Sequence, residues 1–310
     1  MKKIFLVFCV LAFLFIGCSD DNYPSSYIEG LTIHNFPVID GSTSTYPLNL
    51  IIASRLLGIN YDWVYSSSSM SWRVEPRKVD LSNIVKSSQT HNSIINLIDK
   101  NVDIILSART LSFDEKNYAE SMGVSLLETP IALDALIFII NPNNINVDSL
   151  TTQQIQNIYT GRITNWSVLG GSNSSINAYV RNTNSGSQEL MESLVMKDLN
   201  IIDLPESPEI IFTMGGVFEK VRWDHYGICY TVYYYKEHIL RDTTTKTIAI
   251  NGIEPNKETI RTKSYPLVSP VYVMIRSDLA ITSMAYQIYK WLQTEACKNV
   301  ISESGYVPYF

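Results

Sequence analysis

A polar stretch in the middle of the chain has the residue types that bind an oxyanion. The sequence RNTNSGSQEL begins at Arg181 and places Ser185, Gly186 and Ser187 directly before apolar residues that recur at helical spacing. The first N–H groups of a helix have no intrahelical partner, and the helix dipole is positive at this end. Glycine lets the backbone approach a ligand, hydroxyls add donors, and the Arg181 guanidinium can donate two parallel hydrogen bonds. The stretch predicts a binding site for a tetrahedral oxyanion. The alternative is that Ser185 only caps the helix and Arg181 is a solvated surface residue.

Two further loops have the same organisation. Residues 40–48 read DGSTSTYPL, so a glycine and several hydroxyls, among them those of Thr43 and Ser44, lead from a strand signal into a helical pattern. Residues 87–91 read SSQTH, and Thr90 stands directly before another apolar helical run. In open α/β sheets, ligands bind where strand ends face helix starts. We therefore expect the three loops to converge on one crevice.

The elements that must position these loops alternate between strand and helix patterns. This alternation predicts a mixed α/β fold. Thr151 and Gln154 fit a capping box at the start of one helix, which should end before Gly161. The strand-like runs are 38–39, 102–106, 135–140, 176–180 and 271–275, and the helical runs are 48–57, 94–98, 153–159 and 284–292.

The N-terminus is typical of an exported lipoprotein. Lys2 and Lys3 precede an apolar run over 4–16 that is short for a membrane span, and Gly17-Cys18 resembles a lipobox. We expect a signal peptide over 1–17, lipidation of Cys18 and a tether over 18–30, with an ordinary signal peptide or an uncleaved anchor as the alternatives. The protein would then lie in the cell envelope, held to the membrane by its lipid, on the periplasmic or the outer-surface side.

Composition limits the possible ligands. Loss of Lys2 and Lys3 with the signal peptide would change the net charge from −6 to −8, and an acidic protein is a poor partner for nucleic acid. The four histidines are scattered, so neither a metal site nor a cofactor is expected. Cys229 and Cys297, the two cysteines beyond the lipobox, could pair or stay free.

Several ordered motifs together resemble a known family. The stretches GSTSTYPL, INLIDKNVDIILSART, SLTTQQIQNIYTGRITNWSVLGG and RNTNSGS follow one another along most of the chain. They are similar to the phosphate-binding proteins of bacterial phosphate ABC importers, within the type II periplasmic-binding-protein superfamily. The later GICY, residues 227–230, resembles a glycine-isoleucine-glycine-tyrosine strand of that family, with Cys229 in place of the second glycine.

This resemblance implies two α/β lobes of mixed sheets flanked by helices, with the ligand in the interlobe cleft. We expect lobe 1 over 31–134 and 264–310 and lobe 2 over 135–263. The implied function is capture of inorganic phosphate by a monomeric, lipid-anchored binding protein, not an enzyme, that delivers the ion to an ABC permease. The positions that match the family's ligand-binding residues are Thr43, Ser44, Thr90, Arg181, Ser185, Gly186 and Ser187.

One position departs from the family pattern. The best-known members place an aspartate after the serine that corresponds to Ser107, and it accepts the proton carried by phosphate; this chain has Ala108. Ser107 and Arg109 are possible ligand-binding residues, and Arg109 could equally form a surface ion pair with Asp114 or Glu115. His91 is a further candidate, as a pH-sensitive donor or as a neighbour of the helix start. Discrimination against sulfate should be weaker without the carboxylate.

Three other functions stay open from the sequence. The same fold could bind another oxyanion or an organic phosphate. A hydrolase would need a base beside Ser185 or Ser187, and neither a G-x-S-x-G elbow nor an evident His-Asp partner surrounds them. A surface protein could bind a partner through its tyrosines, although Tyr230, Tyr233 and Tyr234 read as core or half-buried strand residues.

Overall fold

The computed structural model describes residues 28–144, 146–201 and 210–309. The predicted signal peptide, Cys18 and all but the last three residues of the predicted tether lie outside these residues. The strands are β1 Ile39–Gly41, β2 Tyr61–Ser66, β3 Ser71–Pro76, β4 Ile104–Ser107, β5 Leu126–Ile140, β6 Ser149–Leu150, β7 Asn177–Ala178, β8 Val180–Arg181, β9 Ile210–Ile211, β10 Gly227–Val232, β11 Lys246–Ile250, β12 Val268–Arg276 and β13 Val307–Pro308. The helices are α1 Tyr46–Leu57, α2 Thr90–Ile98, α3 Phe113–Ser121, α4 Thr152–Tyr159, α5 Gly186–Leu190, α6 Met214–Trp223, α7 Lys257–Arg261, α8 Met284–Trp291 and α9 Glu295–Ser304.

Strand β5 connects the two halves of the molecule. Its first ten residues, 126–135, pair antiparallel with β12, which pairs in turn with β4, and β4 lies parallel to β1. Its last five residues, 136–140, pair with β10, and β10 lies parallel to β7. The change of partner falls between Ala135 and Leu136, which supports the lobe boundaries that we propose. The mixed α/β fold with helix-flanked sheets in two lobes agrees with the sequence prediction.

The first part of β5 was not among the predicted strands. Residues 126–134 read LLETPIALD, and Pro130 has no N–H to donate to a sheet ladder, so the pattern argues against a strand. The structure places Pro130 opposite Tyr272, where the register with β12 shifts between Val271 and Tyr272. The irregularity accommodates the proline and lets the strand continue.

The local signals that the sequence carries for α4 are confirmed. Thr151 Oγ1 accepts a hydrogen bond from the Gln154 N–H at 3.1 Å, and Gln154 Oε1 accepts one from the Thr151 N–H at 2.7 Å. The helix ends at Tyr159, before Gly161. A capping box can be predicted from sequence because all its partners lie within four residues.

The interior of lobe 2 is aromatic. Phe138 of β5, Tyr159 of α4 and Tyr230 of β10 contact one another with ring centroids 5.7 to 6.2 Å apart, and each is fully buried. Tyr230 is therefore a core strand residue, as predicted. Tyr233 and Tyr234 lie beyond the end of β10, so their predicted place in a strand is wrong, although Tyr234 is buried. Cys229 and Cys297 are both buried and free, so they do not pair. Among the described residues, no helix is long and apolar enough to cross a membrane.

Candidate functional site

A cavity of about 440 Å³ opens where the predicted loops meet. The loops before α1, α2 and α5 line it together with Ala108, and α6 contributes its first turn. All seven predicted ligand-binding residues lie on its wall, as does His91; Ser107 and Arg109 do not. Chain segments far apart in sequence thus present N–H groups and hydroxyls to one space.

Arg181 is the central side chain of this cavity. It is 5% exposed, and three of its guanidinium nitrogens are held by the protein: Nε donates to Ile211 O at 2.8 Å, Nη1 to Ser187 Oγ at 3.1 Å and Nη2 to Phe212 O at 3.4 Å. Burial lowers the pKa of the guanidinium. No carboxylate in the described parts of the chain forms an ion pair with it. A buried cation without a counter-ion is costly, and an anion in the cavity would remove that cost.

The backbone of Arg181 is fixed from lobe 2. Its N–H donates to Tyr230 Oη at 3.1 Å and to Gln188 Oε1 at 3.2 Å, and the Tyr230 hydroxyl donates to the same Gln188 oxygen. Neither Gln188 nor the hydroxyl group of Tyr230 was among the predicted site residues. Both were missed because a buried tyrosine and a helical glutamine give no sequence signal of their hydrogen-bond partners.

The start of α5 combines capping with a place on the cavity wall. Ser185 Oγ accepts a hydrogen bond from the Gln188 N–H at 3.2 Å. Ser185 therefore does cap the helix, as the alternative to an oxyanion site predicted. Ser185 nevertheless lines the cavity, and its hydroxyl proton remains available to a ligand. A fourth helix start, at α6, was missed: Thr213 Oγ1 accepts from the Gly216 N–H at 3.1 Å, and Met214 and Gly215 line the cavity.

Ser42, also missed, connects the loops of lobe 1. Its Oγ accepts a hydrogen bond from the Ala108 N–H at 3.0 Å and lies 2.8 Å from Thr90 Oγ1. Tyr306 Oη donates to Ser44 O at 3.0 Å and holds the first loop from behind. The hydroxyls of Ser42 and Thr90 are therefore held relative to each other and to the Ala108 backbone.

Arg109 lies behind the cavity wall and forms an ion pair with Glu115, one of the two predicted partners. The pair is buried, so the prediction of a surface pair is wrong. Nη1 and Nη2 donate to the two carboxylate oxygens of Glu115 at 2.7 and 2.9 Å, and these side chains are 5% and 0% exposed. Nη2 also donates to Asn184 O at 3.0 Å, in the loop before α5. Ser107 Oγ donates to Arg109 O at 2.6 Å and is fully buried. Both residues support the wall.

Glu115 contacts two side chains of lobe 1, the Arg109 guanidinium and the His91 ring. His91 Nδ1 lies 2.8 Å from Glu115 Oε1, and the Ser112 N–H donates to Oε2 at 2.7 Å. Burial raises the pKa of the Glu115 carboxyl, but the hydrogen bonds and charge of Arg109 outweigh burial and leave the pKa below its usual value. Glu115 is therefore an ionised, fully satisfied acceptor.

Gly186 lies directly against the lobe 1 side of the cleft. A Cβ at this position would lie 2.7 Å from Thr90 Oγ1 and 3.8 Å from the Ala108 Cβ. Real Cβ atoms are not found so close to an oxygen, and the hydrogen bond to Ser42 restricts movement of the Thr90 hydroxyl. Glycine is thus required here by the space between the lobes.

We expect Gly186→Ala to weaken oxyanion binding by about tenfold or more, because the added methyl group must push the lobes apart, and overpacking of this kind costs about 1–3 kcal/mol. Titration calorimetry with phosphate measures the effect. Gly215→Ala is the matched control, since its Cβ would meet only Tyr235 Oη at 3.8 Å in the same cavity. Equal affinities for the two variants would contradict the steric role of Gly186.

The fold and its cleft are those of a two-lobe binding protein. Comparison with known proteins agrees with this class. Residues 39–292 match a family model described as a PBP superfamily domain. The chain belongs to this family.

Individual relatives are similar over nearly the whole chain. The phosphate-binding protein PstS of Borreliella burgdorferi is 23% identical over 312 residues, covering 99% of each chain. A Clostridium perfringens protein, described as a phosphate ABC transporter substrate-binding protein and solved with bound phosphate, has a TM-score of 0.66 and 23% identity over 88% of this chain and 99% of its own. An ABC-type phosphate transport receptor of Vibrio cholerae has a TM-score of 0.62 and 22% identity over 87% and 99%. These relatives are named as binding proteins and receptors, in agreement with the prediction that the chain is not an enzyme.

Proposed function

We propose that the protein is an extracytoplasmic solute-binding protein that captures inorganic phosphate between its two lobes and delivers it to an ABC permease. The observation that carries the proposal is Arg181, a buried guanidinium with no carboxylate partner among the described residues, on the wall of a cavity lined by several helix starts. Phosphate is tetrahedral and anionic, and its oxygens match forked guanidinium donors and helix N-termini. The names of the relatives point to the same ligand.

The proposal assigns ligand contacts to the residues that line the cavity. Arg181 supplies the charge-assisted hydrogen bonds, and the first turns after Thr43, Thr90 and Ser185 supply N–H groups and hydroxyls. Their arrangement on both lobes means that a bound anion would tie the lobes together. The site residues proposed are Thr43, Ser44, Thr90, Arg181, Ser185, Gly186 and Ser187.

Lipid anchoring is a further part of the proposal. It rests on the sequence alone, through the charged start, the short apolar run and the Gly17-Cys18 pair. Acylated Cys18 would hold the protein at the membrane, on the periplasmic or outer-surface side, as a monomer beside its permease.

A serine hydrolase is disfavoured by the geometry. Ser185 Oγ accepts from the Gln188 N–H and Ser187 Oγ accepts from Arg181 Nη1. Within the described residues, no histidine or carboxylate is hydrogen-bonded to either hydroxyl, so neither serine has the base that a nucleophile needs.

Phosphate should stabilise the protein against heat. Binding to the native state alone adds about 2.7 kcal/mol at a hundredfold excess over the dissociation constant, which is roughly 5 °C in melting temperature for a chain of this size. Thermal unfolding in millimolar phosphate, in sulfate, in an organic phosphate ester and in chloride separates the candidate ligands. A melting temperature that none of these anions changes would contradict the proposal and favour a partner-binding protein.

A further inference from the structure

Recognition of phosphate against sulfate requires an acceptor in the cavity. Phosphate near neutral pH carries at least one O–H group, whereas sulfate carries none, so only an acceptor can distinguish the two ions by hydrogen bonding. Among the described residues that line the cavity there is no Asp or Glu. Ala108 has no acceptor in its side chain, and the Ser107 hydroxyl is bound to Arg109 O outside the cavity.

His91 is the lining residue whose protonation the structure fixes. Its Nδ1 faces Glu115 Oε1 at 2.8 Å, and Glu115 is an ionised carboxylate that can only accept. Nδ1 must therefore carry the hydrogen. In a neutral imidazole the other nitrogen, Nε2, then holds a lone pair.

The surroundings of the ring leave Nε2 available. The His91 side chain is 37% exposed and lines the cavity, and within the described parts of the chain no hydrogen bond to Nε2 is made. Arg109 and Glu115 stand on the Nδ1 side, Glu189 of α5 lies within electrostatic reach of that pair, and Arg181 is the other charged side chain on the cavity wall. Nε2 is therefore the His91 nitrogen that remains free to contact a ligand.

We propose that His91, oriented by Glu115, accepts the O–H hydrogen bond of a protonated oxyanion through Nε2 and thereby gives the site its preference for phosphate over sulfate. The inference rests on the proposed function and adds a specificity residue to it. Sulfate would bring an oxygen lone pair against the Nε2 lone pair, which is unfavourable.

Titration calorimetry with sodium phosphate and sodium sulfate at pH 8 tests this inference. The proteins are wild type, His91→Phe, which keeps a ring but no acceptor, His91→Gln, whose carbonyl oxygen can accept, and His34→Phe as an exposed control.

At pH 8 we expect His91→Phe to lose phosphate affinity by roughly tenfold or more, with sulfate affinity unchanged or higher, because a buried O–H group left without an acceptor costs about this much. His91→Gln should keep part of the preference, and His34→Phe all of it.

A His91→Phe protein that prefers phosphate over sulfate as strongly as wild type would overturn the inference while leaving phosphate binding intact. A wild-type protein that binds neither anion at pH 8 would instead contradict the proposed function, and the inference with it.

Discussion

Arg181→Ala is expected to weaken phosphate binding by roughly 2 to 4 kcal/mol, a thirtyfold to thousandfold rise in dissociation constant, because it removes a buried, charge-assisted donor. The protein without ligand should stay folded, since the variant also removes a buried cation that has no counter-ion among the described residues. Titration calorimetry measures the affinity, and thermal unfolding without phosphate measures the fold.

Two further variants define what Arg181 contributes. Arg181→Lys should recover only part of the affinity, because an ammonium group cannot supply the planar fork of donors. Arg162→Ala removes an exposed arginine from the same lobe and should bind phosphate like wild type. If Arg181→Ala bound phosphate no more weakly than Arg162→Ala, the proposed anion seat would be wrong.

Glu115→Gln should destabilise the protein by about 3 kcal/mol, because it leaves the buried Arg109 without its counter-charge. The same pair predicts acid sensitivity. The folded-state pKa of Glu115 is below its usual value, so its stabilising contribution is complete above the ordinary pKa of a glutamate and is lost as the pH falls through the lowered value. Denaturant unfolding of both proteins from pH 7 to pH 3 measures both effects.

The matched control is Glu120→Gln, which neutralises an exposed carboxylate on the same helix, α3. Its stability should change by less than about 0.5 kcal/mol at pH 7. The difference between the two variants should shrink as the pH falls, because Glu115 of the control takes up a proton and loses its charge while Arg109 keeps its own. Equal stability of Glu115→Gln and Glu120→Gln at pH 7 would show that the buried pair contributes nothing.

Much of the fold and the outline of the site could be predicted from the sequence, because both have local signals. Helix starts rich in hydroxyls and glycine, such as those at Thr43 and Ser185, are short-range patterns, and their convergence follows from the geometry of open sheets. The capping box at Thr151 and the buried strand after Ala135 are local in the same sense.

The remaining contacts depend on residues distant in sequence. The Arg109–Glu115 pair spans six positions without a helix period, and Ser42 meets Thr90 across 48 residues. Tyr230 was recognised as a core residue, but its hydroxyl contacts the Arg181 backbone from another strand. No local pattern specifies such partners, because tertiary packing alone brings them together.

A crystal structure of the protein, produced without residues 1–18 and grown in phosphate, tests the central claim most directly. We expect a tetrahedral anion within hydrogen-bond distance of the Arg181 guanidinium and of N–H or hydroxyl groups at the starts of α1, α2 and α5, with Gly186 beside Thr90. An empty cleft at saturating phosphate, or an anion bound only elsewhere on the molecule, would contradict it.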